Sequence, residues 1–184
     1  ELIEYYKGIF TTLSSCASRQ LEEGTFRRAT ISVPELMATA GKYFRKVYKG
    51  NKAHIDFKIQ PLEGRITGDW NQLRFLLENL IDEACSVTLD GAVCLSARED
   101  GEFIRFLFTD MRREKTREEL NQLFYPDLSR MTAGEKGELY GTEYLVCKQI
   151  IRDHDEFAGR RGCRINAEPG KEGGFTIYFT LPKK

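Results

Sequence analysis

Oxygen-bearing side chains gather on one face of a stretch that the sequence predicts to be helical. Glu78, Asn79, Asp82 and Glu83 lie within two turns of one another, and Asn79 and Glu83 are one turn apart on the same surface. Carboxylate and amide oxygens are ligands that hard cations such as Mg²⁺ prefer. No basic residue follows these acids at the i+4 position, so they do little for the helix itself. The face is either an ordinary acidic surface or a surface that holds a cation or polar ligand.

A second candidate group is Asp110, which ends a strand that the sequence predicts to be buried. The preceding residues 102–109 are nearly all apolar, which is typical of a central, covered strand. A carboxylate at the end of such a strand is costly to desolvate unless something hydrogen-bonds it. An adenine amino group would serve as the partner, and so would a loop amide.

The acidic helix must be positioned by its apolar side and by its first turn. Asp69 can cap the free backbone N–H groups, and Gln72 completes the D-x-x-Q form of the capping box. The apolar residues recur at spacings of three and four, which predicts a stripe that faces a core. The members of this stripe are Leu73, Leu76, Leu77, Leu80, Ile81 and Ala84.

Helices and strands follow one another in mixed order along the rest of the chain. Ser32, Pro34 and Glu35 predict the start of a helix that ends near Gly50. Strands are predicted at 54–59 and 65–67, hairpins at 92–109 and 163–181, helices at 118–124 and 139–153, and a mobile loop or lid at 127–137. This order indicates a two-layer α/β sandwich, with about three helices on one face of a mixed, mostly antiparallel sheet.

Residues 1–24 predict a separate helix with a heptad seam. A helix this short needs a packing partner in water. The partner is either this domain or the same helix of a second chain, and the heptad spacing favours a homodimer. Because the chain begins at Glu1 and not at Met, we expect it to be part of a longer protein. The seam consists of Leu2, Tyr6, Ile9, Leu13, Cys16 and Gln20.

Composition narrows the classes of partner and compartment. The chain of 184 residues has 28 basic and 28 acidic side chains, and this balance argues against nucleic acid or an anionic membrane as the main partner. No apolar run reaches the ~20 residues that a membrane-spanning helix needs, and no signal peptide is visible. The 5 scattered cysteines predict a reduced, cytoplasmic protein without a disulfide framework or a zinc site. Any membrane anchor of the full-length protein would lie upstream.

In this order, the segments resemble the ATP-binding domain of sensor histidine kinases, within the larger family that includes gyrase-type, heat-shock-chaperone and mismatch-repair ATPases. The resemblance lies in the acidic helix, the hairpin that ends at Asp110, the short Leu-x-x-x-Phe helix, the glycine loop and the closing GGFTIYFTLP strand. It covers about 30–182, and residues 1–24 resemble the tail of the kinase dimerisation helix. It implies two domains: a dimerisation helix and linker at 1–27, and an ATP-binding domain at 28–184.

The resemblance also implies site residues and cofactors, namely ATP and Mg²⁺. Asn79 matches the first amide of the family's N-L-L-x-N-A motif, near the phosphates, and Glu83 stands at the second amide, a Mg²⁺ ligand. Asp110 matches the aspartate of D-x-G-x-G, which hydrogen-bonds the adenine amino group. Gly141 matches the phosphate-binding glycine loop, and Thr176 matches the final strand. The implied nucleotide-binding set is therefore Asn79, Asp110, Gly141 and Thr176, and the implied metal ligands are Glu83 and Asn79.

Four positions depart from the family's pattern: Glu83, Arg112, Glu114 and Glu143. Arg112 and Glu114 replace glycines whose positive φ costs a residue with a Cβ about 1 kcal/mol or more. Three of the four departures place an acid near phosphate, which weakens nucleotide binding. Arg112 and Arg113 either contact phosphate or form a solvated basic loop, and we favour the solvated loop.

Two functions follow from the resemblance. In the first, the chain is the catalytic domain of a two-component sensor histidine kinase that transfers the ATP γ-phosphoryl group to a histidine. Neither His54 nor His154 lies in a dimerisation helix, so this acceptor is expected upstream of Glu1, and His154 is expected to be structural. In the second, the chain is a degenerate pseudokinase domain with weak or no nucleotide binding. It would then act by dimerisation and by binding a response regulator or another signalling protein.

Overall fold

The computed structural model describes Ile3, residues 26–125 and residues 142–184. Within this part the strands are β1 (Ala29–Ser32), β2 (Ile55–Gln60), β3 (Arg65–Gly68), β4 (Gly91–Asp100), β5 (Phe103–Asp110), β6 (Ile165–Pro169) and β7 (Phe175–Pro182). The helices are α1 (Val33–Val47), α2 (Trp70–Cys85), α3 (Arg117–Gln122) and α4 (Thr142–Phe157). The predictions for residues 1–24, the loop 127–137 and Gly141 lie outside the described residues.

The strands form two sheets that confirm the predicted α/β sandwich. The main sheet has the order β2-β4-β5-β7-β6, in which β2 pairs with β4 in parallel and every other pair is antiparallel. β1 and β3 form a small antiparallel sheet of their own. About three helices were predicted, and in the described part of the chain α1 to α4 accompany the sheet.

Strand register determines which side chains reach the core. Along β5, Ile104, Phe106, Phe108 and Asp110 are buried and alternate with residues of the other face. The ring of Phe106 stacks on that of Phe179 of β7, with centroids 5.0 Å apart. Asp110 therefore ends the strand on the same face as the core, as the apolar run before it predicted.

The helix starts follow the predicted caps with two differences. The Ser32 and Asp69 side chains accept hydrogen bonds from the backbone of the third residue after each, at 3.4 and 3.1 Å. The second half of the predicted box at α2 is not made, because Gln72 Oε1 is buried without a partner in the described part of the chain. A complete capping box that was not predicted begins α3, where Thr116 and Glu119 form reciprocal hydrogen bonds.

Helix α4 extends four residues beyond its predicted end at 153 and reaches Phe157. His154, which lies just beyond that predicted end, is fully buried at 0% exposure. None of the described helices is long and apolar enough to cross a bilayer.

Candidate functional site

Asp110 and Glu83, the two acids at the predicted nucleotide site, are joined by one side chain of the protein itself. Glu83 lies in the last turns of α2, and Asp110 ends β5. The Arg113 guanidinium donates from Nη1 and Nη2 to the two Glu83 carboxylate oxygens, at 2.9 and 2.8 Å. Its Nε donates to Asp110 Oδ2 at 2.9 Å. The structure thus brings the two acids to one place and puts a cation between them.

The neighbouring Arg112 is bound even more completely. Its Nε and Nη2 donate to the two oxygens of Asp110, each at 2.9 Å. Its remaining N–H groups donate to three backbone carbonyls: that of Ala84 in the last turn of α2, and those of Val87 and Leu89 just after the helix. All five guanidinium donors therefore have an acceptor. The side chain is 1% exposed, so Arg112 is an interior structural residue.

The Asp110 carboxylate is saturated as an acceptor. Oδ1 accepts from the Arg112 backbone N–H at 3.0 Å and from Arg112 Nε, and Oδ2 accepts from Arg112 Nη2 and Arg113 Nε. Two carboxylate oxygens offer about four acceptor positions, and all four are used. No position remains for an adenine amino group while both arginines stay in place.

The pKa shifts of Asp110 and Arg113 also favour the ionised forms of both side chains. Burial acts to raise the pKa of Asp110, but the hydrogen bonds and charges of Arg112 and Arg113 outweigh burial and lower it. Burial likewise acts to lower the pKa of Arg113, and the Glu83 carboxylate, with Asp110, more than reverses this and raises it. Two carboxylates and two guanidinium groups thus form a buried, electrically balanced cluster.

Strand β7 and the loop after Asp110 close the other side of the cluster. The Arg113 guanidinium carbon lies 5.2 Å from the centre of the Phe175 ring, and Lys115 Nζ lies 5.1 Å from it. Glu114 Oε1 accepts a hydrogen bond from the Gly174 backbone at 2.9 Å. The basic loop predicted to be solvated is therefore folded onto the site, and that prediction was wrong. Its two arginines pair with the Asp110 and Glu83 carboxylates.

The other polar side chains of the acidic helix face, Asp82, Glu78 and Asn79, contact different parts of the protein. Asp82 accepts hydrogen bonds from the hydroxyl groups of Tyr43 and Tyr48, at 2.8 and 2.6 Å, and so ties α2 to α1. Glu78 is 3.9 Å from Arg74, one turn earlier in the helix. The Asn79 amide donates to the Phe75 carbonyl within the helix at 2.9 Å. The face predicted to be either a plain surface or a ligand surface thus mainly serves internal contacts.

Thr176 is not brought to the Asp110 cluster. Thr176 pairs with Thr109 across the sheet, and their hydroxyl oxygens are 2.8 Å apart. Because side chains alternate along a strand, both hydroxyls lie on the face opposite to Asp110 and Phe175. Gly141 is outside the described residues. The assignment of Asn79, Asp110, Gly141 and Thr176 to a nucleotide, and of Glu83 and Asn79 to Mg²⁺, stays a prediction.

Tyr144 of α4 lies beside Glu83 at the edge of the cluster. Its side chain is 3% exposed, and its hydroxyl is close to the Glu83 carboxylate. Burial, reinforced by the charge of Glu83, raises the pKa of Tyr144 well above its usual value. Tyr144 is therefore a neutral neighbour of the cluster.

While both arginines stay in place, Asp110 and Glu83 do not fit adenine or Mg²⁺, because each acid is neutralised by an arginine. Asp110 and Glu83 were located from the sequence, but Arg112 and Arg113 were assigned to a solvated loop. The available signal was a pair of arginines that begins two residues after an acid that needs hydrogen-bond donors.

Comparisons with known proteins agree on one family. Residues 68–184 match the family model described as histidine kinase-, DNA gyrase B- and HSP90-like ATPase. The adaptive-response sensory kinase SasA of Thermosynechococcus vestitus is 30% identical over 138 residues, which cover 73% of this chain and 34% of that protein. The chain thus spans about a third of the length of this curated relative.

Solved structures show the same fold at low sequence identity. Acinetobacter baumannii histidine kinase AdeS has a TM-score of 0.64 at 15% identity, over 95% of this chain and 75% of that one. Histidine kinase ThkA in complex with the response regulator protein TrrA has a TM-score of 0.66 at 17% identity, over 97% of this chain and 49% of that one.

Proposed function

The chain belongs to the histidine kinase-, DNA gyrase B- and HSP90-like ATPase family, and from this membership we propose that it is a sensor-kinase ATP-binding domain that signals without a bound nucleotide. In this proposal the domain retains the fold and the two-component context of its relatives. Its predicted nucleotide cleft is filled by its own arginines. It therefore acts as a pseudokinase module through contacts with other proteins.

The observation that carries the proposal is the saturation of Asp110. The acid that the resemblance assigns to adenine already accepts four hydrogen bonds, all from Arg112 and Arg113. An exchange with ATP would remove charged donors from a carboxylate that is 1% exposed. Breaking a buried ion pair by removing one partner costs roughly 3–5 kcal/mol, whereas a neutral hydrogen bond contributes about 1 kcal/mol. The exchange is therefore unfavourable at the adenine position.

A catalytic histidine kinase is the second candidate, and retention of two motif residues favours it. Asp110 and Asn79 stand where the family's aspartate and first amide stand, and the Asn79 side chain has no arginine partner among the described residues. Catalysis would require the loop 111–116 to leave the site when ATP binds. The γ-phosphoryl group would then pass to a histidine upstream of residue 1.

The remaining parts of the proposal concern the whole protein. We assign residues 1–27 to a dimerisation helix and linker, and 28–184 to the kinase-like domain. The protein would form a homodimer through residues 1–24 and act in the cytoplasm. A response regulator is the proposed partner, because the similar kinase ThkA forms a complex with the response regulator protein TrrA.

Calorimetric titration of the chain with ATP in excess Mg²⁺ tests the proposal. We expect no saturable heat up to millimolar nucleotide, and no transfer of phosphate from ATP to histidine in the full-length protein. An active histidine kinase domain in the same buffer is the positive control. A dissociation constant below about 1 mM, equivalent to about −4 kcal/mol, would contradict the proposal and favour the second candidate.

A further inference from the structure

Arg113 connects three separate elements at the predicted nucleotide site. Its guanidinium group binds Glu83 on α2 with two hydrogen bonds and Asp110 at the end of β5 with a third. The same group lies over the Phe175 ring at the start of β7. The Arg113 side chain is 14% exposed and that of Glu83 is 15% exposed. A guanidinium so placed is desolvated and fixed in a bidentate geometry.

We propose that Arg113 is a built-in cation, which takes the place of the predicted divalent ion at Glu83, ties Glu83 to Asp110 and holds the site closed without any ligand. Arg112 completes this role by occupying the other acceptor positions of Asp110. The inference rests on the proposed function, since it explains how a domain without nucleotide keeps its site formed. It adds a positioning role for one residue that neither the fold nor the family match assigns.

The chemistry of the site fits an internal cation. A carboxylate that replaces an amide at position 83 adds a negative charge next to Asp110, and two buried like charges repel unless a cation separates them. Arg113 supplies that charge, and Arg112 balances the second acid. Among the described residues, Arg113 is the one cation within 4.0 Å of Glu83. Removal of the guanidinium therefore leaves Glu83 without its counter-ion.

The loop that carries both arginines is itself fastened to the sheet. Glu114 Oε1 accepts a hydrogen bond from Gly174 N–H at 2.9 Å, and Met111 N–H donates to the Ala92 carbonyl at 3.1 Å. The loop is thus held on one side of the arginines by the Met111 backbone and on the other by the Glu114 side chain. The built-in cation is positioned by the sheet and does not depend on its own side chain alone.

Chemical rescue of R113A tests this role. We expect the unfolding temperature of R113A to fall by about 6 °C or more, because a buried acid loses its counter-ion. Addition of Mg²⁺, or of guanidinium at low millimolar concentration, is expected to restore about 2 °C relative to NaCl of equal ionic strength. The wild-type chain, whose site is already filled, should show no such gain.

Two control variants separate this role from general electrostatics. E83Q/R113A lacks the acid that an added cation would neutralise, so it should not be rescued. R105A loses an arginine that pairs with Asp100 at 2.9 Å and stacks on Tyr178, outside the site, and it should not respond to either cation. The inference is overturned if neither cation stabilises R113A, or if E83Q/R113A gains as much as R113A.

A measurement on the wild-type chain decides the matter if R113A does not fold. The guanidinium protons of Arg112 and Arg113 should exchange with water at least tenfold more slowly in NMR spectra than those of the exposed Arg98. Equal exchange rates for Arg113 and Arg98 would overturn the inference. The proposed function fails by a different result, saturable ATP binding to the wild-type chain, so the two failures are distinguishable.

Discussion

Asp110 and Arg112 satisfy each other so fully that neither can be altered alone without leaving a buried charge. Asp110 has four donors around two oxygens, and Arg112 has five acceptors around its guanidinium group. A nucleotide-binding acid usually keeps acceptor positions for its ligand. At this site the carboxylate is part of the fold, and its substitution should affect stability before it affects any binding.

D110N should therefore destabilise the chain by about 3–5 kcal/mol, because the amide loses the charge that balances Arg112 and Arg113. Denaturant unfolding monitored by circular dichroism measures the change. D100N is the matched control, since Asp100 also pairs with an arginine, Arg105, at 2.9 Å, but its side chain is 41% exposed. The control should cost less than about 1 kcal/mol. Equal costs for the two variants would count against a structural role for Asp110.

Gly174 joins β7 to the site and cannot carry a side chain. Its φ is +69°, and an added Cβ would lie 2.0 Å from the Asp110 carbonyl oxygen. Gly101, in the β4–β5 turn, has a similar φ of +60° but open space around the position of a Cβ. The two glycines therefore share the conformational constraint and differ only in the steric one.

G101A should cost about 1–2 kcal/mol, which is the strain of a left-handed residue. G174A should cost more than about 4 kcal/mol, because the β5–β7 pairing beside Asp110 must also shift. Thermal unfolding of the two variants measures the difference. A G174A chain as stable as G101A would show that β7 can move away from Asp110 freely.

Helices α1 and α2 are joined by one acid that serves two tyrosines. Asp82 accepts hydrogen bonds from the Tyr43 and Tyr48 hydroxyl groups. Burial, together with the hydrogen bonds to Asp82, raises the pKa of both tyrosines, so both remain donors at neutral pH. Either hydroxyl alone still leaves Asp82 with a partner.

Y43F and Y48F should each cost about 0.5–1.5 kcal/mol, the usual net contribution of a hydrogen bond. The double variant should cost more than the sum of the two, because the second loss leaves Asp82 without any hydroxyl donor. Urea unfolding of the four proteins of this cycle gives the coupling energy. Y178F, whose ring stacks under Arg105 on the other face of the sheet, is the control, and strict additivity would contradict the shared-acceptor model.

The helices, strands and caps were largely predictable because their signals are local. The stripe along α2, the cap at Asp69 and the hairpin at 92–109 each depend on residues close together in the chain, and the structure contains all three. The site was predictable only in part. Asp110 and Glu83 could be located by motif, but the positions of Arg112 and Arg113 depend on α2 and β5 meeting in space. Spacing along the chain does not contain that information.

At the scale of the whole molecule, His154 of α4 links the residues just before β1 to the start of α2. Its Nε2 accepts from Asp69 N–H at 3.0 Å, and its Nδ1 is 2.7 Å from the Ile150 carbonyl, so Nδ1 carries the proton. Asp69 in turn accepts from Arg27 N–H at 2.9 Å, and the Phe26 ring lies edge-on to the imidazole at 4.7 Å. Phe26 and Arg27, which precede β1, are thus held at this histidine, which supports the structural role expected from the sequence.

The buried His154 should make the free energy of unfolding depend on pH. Burial lowers the pKa of His154, although the Ile150 hydrogen bond and the charges of Asp69 and Asp153 oppose it. The unfolded chain therefore binds a proton at His154 near pH 6.5, whereas the folded chain does not. The free energy of unfolding falls as pH drops below that value. The fall approaches about 1.4 kcal/mol per pH unit for one proton.

Unfolding free energies at pH 7.5, 6.5 and 5.5 should reveal this dependence in the wild-type chain and a shallower one in H154Q. The glutamine oxygen can still accept the Asp69 N–H hydrogen bond, and the variant has no titrating group at this position. H54Q removes the other histidine, which is exposed at the start of β2, and should keep the wild-type slope. If H154Q and the wild type lose stability in parallel, other groups carry the pH dependence. If the slope of unfolding free energy against pH is shallower in H154Q alone, the buried imidazole that contacts Phe26, α2 and α4 carries the pH dependence.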